Sequence, residues 1–129
     1  MKAIDIHATL EGIRSGRIMA MEPQAQTLTQ LTPFHPGAGA IHLGRLNGQT
    51  PWERHPDGDK LLHVLEGELD ITLLAAIGLL QETVRAGSIL VVPRGLWHRL
   101  NGREAAILAV VPRHGESSAH QPALASLPA

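Results

Sequence analysis

The chain is 129 residues long, 43% hydrophobic, 18% charged and 2% aromatic, with 11 Lys and Arg against 12 Asp and Glu for a formal net charge of −1. That length fits one domain with a core of its own, the balanced charge argues against nucleic acid as a partner, and the lack of cysteine excludes disulfides, zinc–thiolate sites and a thiol nucleophile. No apolar run approaches the ~20 residues of a membrane span and MKAIDIHATLEG lacks the apolar core of a secretory signal, so no membrane partner and a cytoplasmic location are expected.

Residues 3–20 form the one helix candidate, with Ile4, Leu10, Ile13 and Ile18 on a loosely periodic face. Gly12 and Gly16 weaken it by about 1 kcal/mol each relative to Ala. Residues 1–26 are therefore read as a helical or irregular N-terminal extension. From Thr27 to Val111 the chain becomes a series of short apolar runs: Ala40–Leu46, Lys60–Leu65, Glu68–Leu74, Leu79–Arg85, Ser88–Val92 and Ala105–Val111. Gly, Pro, Asn and Asp punctuate them, a texture that predicts an all-β sandwich or barrel over 27–111. No helix-length pattern intervenes, which argues against a parallel βαβ sheet. The passage LLAAIGLL at 73–80 is too apolar for an ordinary hairpin turn, where only Gly78 supplies turn chemistry. It either folds over the core or meets a second subunit, and a homodimer using this hairpin is the expectation. Residues 112–129, rich in Pro, Ser and Ala, read as a mobile or loosely draped tail.

Two segments stand out. One runs from Gly48 through Trp52-Glu53-Arg54-His55 and Asp59-Lys60 to Val64-Leu65-Glu66-Gly67, and the other from Gly87 through Pro93, Gly95 and Trp97-His98 to Asn101. Together they resemble the two motifs of the cupin superfamily. The second keeps every spacing of the pattern glycine, five residues, proline, one residue, glycine, two residues, histidine. The first keeps VLEG and the second histidine of the usual His-x-His. Nineteen residues lie between Gly67 and Gly87, compatible with the variable strand pair between the motifs. The resemblance implies a double-stranded β-helix, or jelly-roll, barrel and covers Ala40 to Val111. Strand alternation would aim one parity into such a barrel, and His55 and His98 would sit near its mouth, a common ligand site.

The resemblance also implies a metal site, carried over by position to Glu53, His55, Lys60 and His98. Glu53 stands in for a histidine, which Zn, Mn, Fe and Ni tolerate in mixed sites. Lys60 stands where the family has a glutamate, and an ammonium offers no lone pair. Two alternatives remain. Asp59 serves as the acid, at the cost of a register slip; or Lys60 takes the slot, pairs with Glu53 and leaves a metal-free pocket, or acts as a base or Schiff-base former. The metal expectation rests on Glu53, His55 and His98, with Asp59 as a further candidate. Trp52, Lys60 and Trp97 are read as pocket residues, the tryptophans walling the pocket or packing in the core.

His63 is expected in an outward or inter-sheet position, and His42 to be packed or solvated in its strand, with the interior within reach. Arg54, Arg94 and Arg99 flank the motifs as rim cations. Serine hydrolase, nucleotide hydrolase and Rossmann readings fall away, because neither a Gly-x-Ser-x-Gly elbow nor a phosphate-cradling glycine loop occurs. The leading expectation is a small metal-dependent cupin enzyme, a dioxygenase or isomerase acting on a small polar molecule. Its rival is a ligand-binding or sensory cupin without chemistry, and a structural homodimer module comes third. The substrate is not legible.

Overall fold

The helix starts at the first residue able to cap it. In the computed structural model, which describes residues 2–14, 28–34 and 39–123, Asp5 Oδ1 accepts a hydrogen bond from the Ala8 backbone N–H at 3.0 Å, the N-cap geometry that satisfies an orphan donor. Helix α1 follows over Ile6–Arg14. Its Leu10 is buried against Leu43 and Ala106, with Ile6 packed beside them. The expected continuation through Gly16 and Ile18 lies outside the described residues. Among the described residues, no helix is long and apolar enough to cross a membrane.

Among the described residues everything else regular is strand: β1 (Leu28–Pro33), β2 (Gly39–Gln49), β3 (Trp52–Arg54), β4 (Lys60–Ala75), β5 (Gly78–Arg85), β6 (Ile89–Val92), β7 (Trp97–Pro112) and β8 (Glu116–Ser118). All pairings are antiparallel, and the long strand β7 organises them. One edge of β7 carries β2 and the single pair Glu53↔His98 from β3, while the other edge carries β4 from Leu61 to Leu74. β4 in turn pairs β6 through its first residues and β5 through its last. The result is one curled antiparallel sheet, the all-β jelly-roll barrel that the motifs imply.

The two expected runs Lys60–Leu65 and Glu68–Leu74 are a single strand. They read as two because β4 changes partner at Gly67, where the register shifts twice between Val64 and Glu68. Gly67 has φ +69°, and a Cβ there would lie 2.2 Å from the Glu104 carbonyl oxygen, so only glycine passes. The bulge also changes which parity is inside. Lys60, Leu62 and Val64 face the interior before it, and Leu69 and Ile71 after it. Leu62, Val64, Leu69 and Ile71 join Leu46, Val92, Leu100 and Ile107 in the main core.

One sequence expectation changes and one open alternative closes. The segment after Pro112, expected to be loosely draped, supplies β8, which pairs with β3 through Trp52↔Ser118, Glu53↔Ser117 and Arg54↔Glu116. LLAAIGLL is a tight hairpin between β4 and β5, closing at Ala75↔Gly78. It does not fold over the core: Ile77 is 85% exposed and Leu79 and Leu80 are about half exposed, while Leu74 beneath them is buried.

Candidate functional site

The site is assembled from four local decisions of the chain. β3 aims Glu53 inward beside His98, its register partner on β7. His55 follows β3, where its carbonyl accepts the Gly95 backbone N–H at 2.9 Å and ties it to the turn before His98. Lys60 opens β4 on the same inward parity as Leu62 and Val64. His55, Lys60 and His98 are 7%, 3% and 1% exposed, the buried polar side chains of the described residues.

Glu53, His55 and His98 each bring one donor atom to within 4.8 Å of the others. The backbone fixes which atoms those are. His55 Nδ1 lies 3.1 Å from the His114 carbonyl oxygen, and His98 Nδ1 lies 3.1 Å from the Leu96 carbonyl oxygen. A carbonyl only accepts, so Nδ1 carries a proton in both rings, and in the neutral ring it is Nε2 that presents the lone pair. Both Nε2 atoms are buried without a hydrogen-bond partner. Leaving such atoms unpaired costs roughly 1–3 kcal/mol each. Carbonyl-oriented imidazoles of this kind are what a metal site uses to hold its ligand rings. Two imidazole lone pairs and a carboxylate turned toward one another fit a divalent cation. Gly115 leaves room for this geometry, since a Cβ there would lie 3.0 Å from the His55 ring.

Lys60 Nζ donates to Glu53 Oε2 at 3.2 Å, and His55 Nε2 lies 3.6 Å from the same oxygen. Burial pushes the Glu53 carboxyl up, but His55, the Lys60 ammonium and His98 together outweigh it and hold the pKa at about 2. Burial, reinforced by the Lys60 charge, pushes His98 down to about 4, so the ring is neutral and free to ligate at neutral pH.

These shifts predict how metal-free protein responds to acid. The unfolded chain takes up a proton at His98 near pH 6.5, whereas the folded chain resists it until about pH 4. Stability is therefore complete above about 6.5 and falls as the pH drops toward 4, where that one proton accounts for up to roughly 3 kcal/mol. Glu53, held at about 2 against an ordinary 4.5, adds a loss of the same sign below 4.5. Urea melts of chelator-treated protein should show midpoints falling between pH 7 and 4, and His98→Asn should flatten the upper part of that range. A wild-type midpoint independent of pH across it would contradict the burial of a neutral His98.

A cavity of about 460 Å³ opens beside the triad, walled by Glu53, His55, Lys60, His42 and Gln30 with apolar Leu100 and Ile107. Burial lowers the pKa of His42, with Lys60 adding to the effect. Its inward position was one option of the sequence reading. Gln30 and the β8 residues Glu116 and Ser117 also reach the wall, and nothing in their sequence context signalled it.

Three sequence candidates stand elsewhere. Asp59 is exposed and accepts the Arg94 backbone N–H at 2.9 Å, because the parity that turns Lys60 inward turns Asp59 out. Trp52 and Trp97 do not wall the cavity. They share the outward parity and pack with Leu74 in a cluster of their own, capped by Arg99 over Trp52 at 4.8 Å and Arg54 over Trp97 at 4.7 Å. Such cation–π contacts let arginines shield aromatic faces from water. Arg54 also pairs with Glu116, its Nε 3.1 Å from the carboxylate.

Residues 45–112 match the model of the Cupin domain family. The chain is 37% identical to Germin-like protein 1-1 of Oryza sativa subsp. japonica over 65 residues, which cover 50% of this chain and 30% of that protein. It thus spans about a third of that relative. Among solved structures, protein NMB1881 from Neisseria meningitidis superposes with a TM-score of 0.60 at 26% identity, covering 91% of this chain and all of that one. An oxalate oxidase superposes with a TM-score of 0.55 at 27% identity, covering 70% of this chain and 51% of that one.

Proposed function

This chain belongs to the cupin-domain family, and from that premise we propose that it holds one divalent metal ion on Glu53, His55 and His98 and acts on a small polar molecule in the adjoining cavity. The observation that carries the reading is the pair of buried Nε2 atoms facing the partly buried Glu53 carboxylate, with donor atoms within 4.8 Å. Two imidazoles and one carboxylate suit Zn, Mn, Fe or Ni. When bound, such an ion supplies Lewis-acid polarisation of a substrate oxygen or, for iron, dioxygen chemistry. The protein contributes the rest. The His114 and Leu96 carbonyls hold the two imidazoles in the ligating tautomer. The apolar side of the cavity, with Leu100 and Ile107, excludes water from the reacting end of the substrate. Likeness to an oxalate oxidase supports oxidation of a small molecule; dioxygenation and isomerisation are the other reactions that a bound ion of this kind would serve.

A second reading, a metal-free cupin that binds or senses a small ligand, is favoured by the ion pair of Lys60 with Glu53 at 3.2 Å. Metal analysis separates the two. Protein purified without added metal, then dialysed against a mixture of divalent ions, should carry one ion per chain by mass spectrometry of the metals. A chain that stays empty under both conditions would leave the metal-free reading.

We further propose that the molecule is a homodimer through the β4–β5 hairpin. Ile77, Leu79 and Leu80 present exposed apolar side chains, each worth roughly 1.5–3 kcal/mol if fully buried. Light scattering at micromolar concentration should give twice the chain mass, and the double substitution Leu79→Glu, Leu80→Glu should give a folded monomer. A monomeric wild type ends this proposal, and a dimeric double mutant moves the interface elsewhere.

A further inference from the structure

Lys60 is the one side chain of the site that neither ligates nor packs as an ordinary surface cation. It is 3% exposed, lines the cavity, and spends one of its three ammonium donors on Glu53 Oε2 at 3.2 Å. A charge this buried requires partners for its remaining donors. The charges around it identify what those partners are. Glu53 and Lys60 cancel, and a His55 or His98 ring that ligates through Nε2 while its Nδ1 donates to a carbonyl adds no charge. Adding a divalent ion leaves the interior with two uncompensated positive charges. The other acid at the wall, Glu116, is already paired with Arg54, and the neighbouring wall residue Arg113 adds positive charge.

We propose that Lys60 is the anchor for an anionic substrate, and that the cavity takes a small acid with two anionic oxygen-bearing ends, one on the Lys60 ammonium and the other at the metal position. The inference rests on the metal reading above and assigns its substrate class. Lys60 binds and orients; it transfers nothing. Charge-assisted bonds of a buried ammonium to a carboxylate are about twice as strong as neutral ones, so the anchor discriminates by charge at constant shape.

Oxalate, oxamate and oxamide share one skeleton and step the charge from two to one to none. Calorimetric titration of the zinc-loaded full chain should show oxalate binding at least a hundredfold tighter than oxamide, with oxamate between. Lys60→Met should weaken oxalate at least tenfold and narrow that gap, with zinc content after titration no lower than in wild type. Equal oxalate affinity in wild type and variant at equal zinc, or oxalate no tighter than oxamide, overturns the proposal. Wild-type protein supplies a second measurement should the variant fail to fold. The sequence has two lysines, Lys2 and Lys60, so 13Cε-lysine labelling gives two resonances. Oxalate should shift the Lys60 signal and leave Lys2 in place; an unmoved Lys60 signal overturns the proposal. If no zinc loads onto wild type, the metal reading fails by itself, and the same resonance in zinc-free protein decides the role of Lys60 in either direction.

Discussion

His98→Ala should abolish stoichiometric metal and, with it, the metal-dependent part of the stability. Three protein donors define the candidate site, and His98 is the most buried of the histidines, at 1% exposure. Its Nε2 has no other partner among the described residues. Removing one of three ligands should cost at least a hundredfold in affinity. Binding to the folded state alone stabilises by RT ln(1 + [L]/Kd), about 2.7 kcal/mol at a hundredfold excess over Kd. For a domain of this size that corresponds to a Tm rise on the order of 10 °C. The variant also leaves a void in the interior, which lowers Tm with or without metal. The informative quantity is therefore the Tm difference between metal-loaded and chelated protein, measured for both chains. Wild type should show the rise and the variant should not. Equal metal content in the two would remove His98 from the site.

Much of the fold was legible because the second motif fixes a local geometry. Pro93 and Gly95 end one strand and start the next, and the three-residue step from Gly95 delivers His98 inward beside Glu53. The long strands were harder to see. β4 is one strand whose partner changes at a bulge, and sequence periodicity reports burial, which changes parity there, rather than pairing. The tail was misjudged for a related reason: β8 is three residues long and polar, held by pairing to β3 rather than by any apolar face. Yet its approach supplies the His114 carbonyl that orients His55. Alternation from Leu62 and Val64 back to Lys60 was available in the sequence and gives the inward direction of that lysine. Of the two readings of the tryptophans, core packing is the one the structure shows, because proximity to a motif histidine says nothing of parity. Trp97 is adjacent to His98, and adjacent residues of a strand face opposite sides of the sheet. His42 was visible only as one option, since an imidazole in an apolar strand packs inward or outward depending on neighbours distant in sequence.

Lys60→Glu should raise divalent metal affinity by about a hundredfold or more and make the folded state depend on the metal. In the wild type an ammonium sits 3.2 Å from Glu53, the proposed ligand, where it would compete for that carboxylate and repel an incoming cation. Two unit charges 4 Å apart interact by about 4 kcal/mol at an effective dielectric near 20. Reversing the charge at position 60 replaces that opposition with attraction and adds a fourth donor. Without metal the same change is costly, because two buried carboxylates then share one site and one of them must hold a proton. A carboxyl whose folded pKa is raised contributes stability that is present at low pH and lost as the pH rises. Metal-free Lys60→Glu should therefore become less stable between pH 5 and 8, opposite to the wild type, whose stability falls on acidification as His98 is protonated. Metal binding to the variant should release a proton, visible as a calorimetric enthalpy that depends on buffer ionisation. Competition titration against a chromogenic chelator reads the affinity in both proteins. Unchanged affinity would place position 60 out of reach of the ion, and the Lys60–Glu53 pair would then be a structural contact rather than the brake on metal binding that its geometry indicates. The same variant should lose the preference for oxalate over oxamide, since the second carboxylate end would then meet a negative charge where the wild type presents its ammonium.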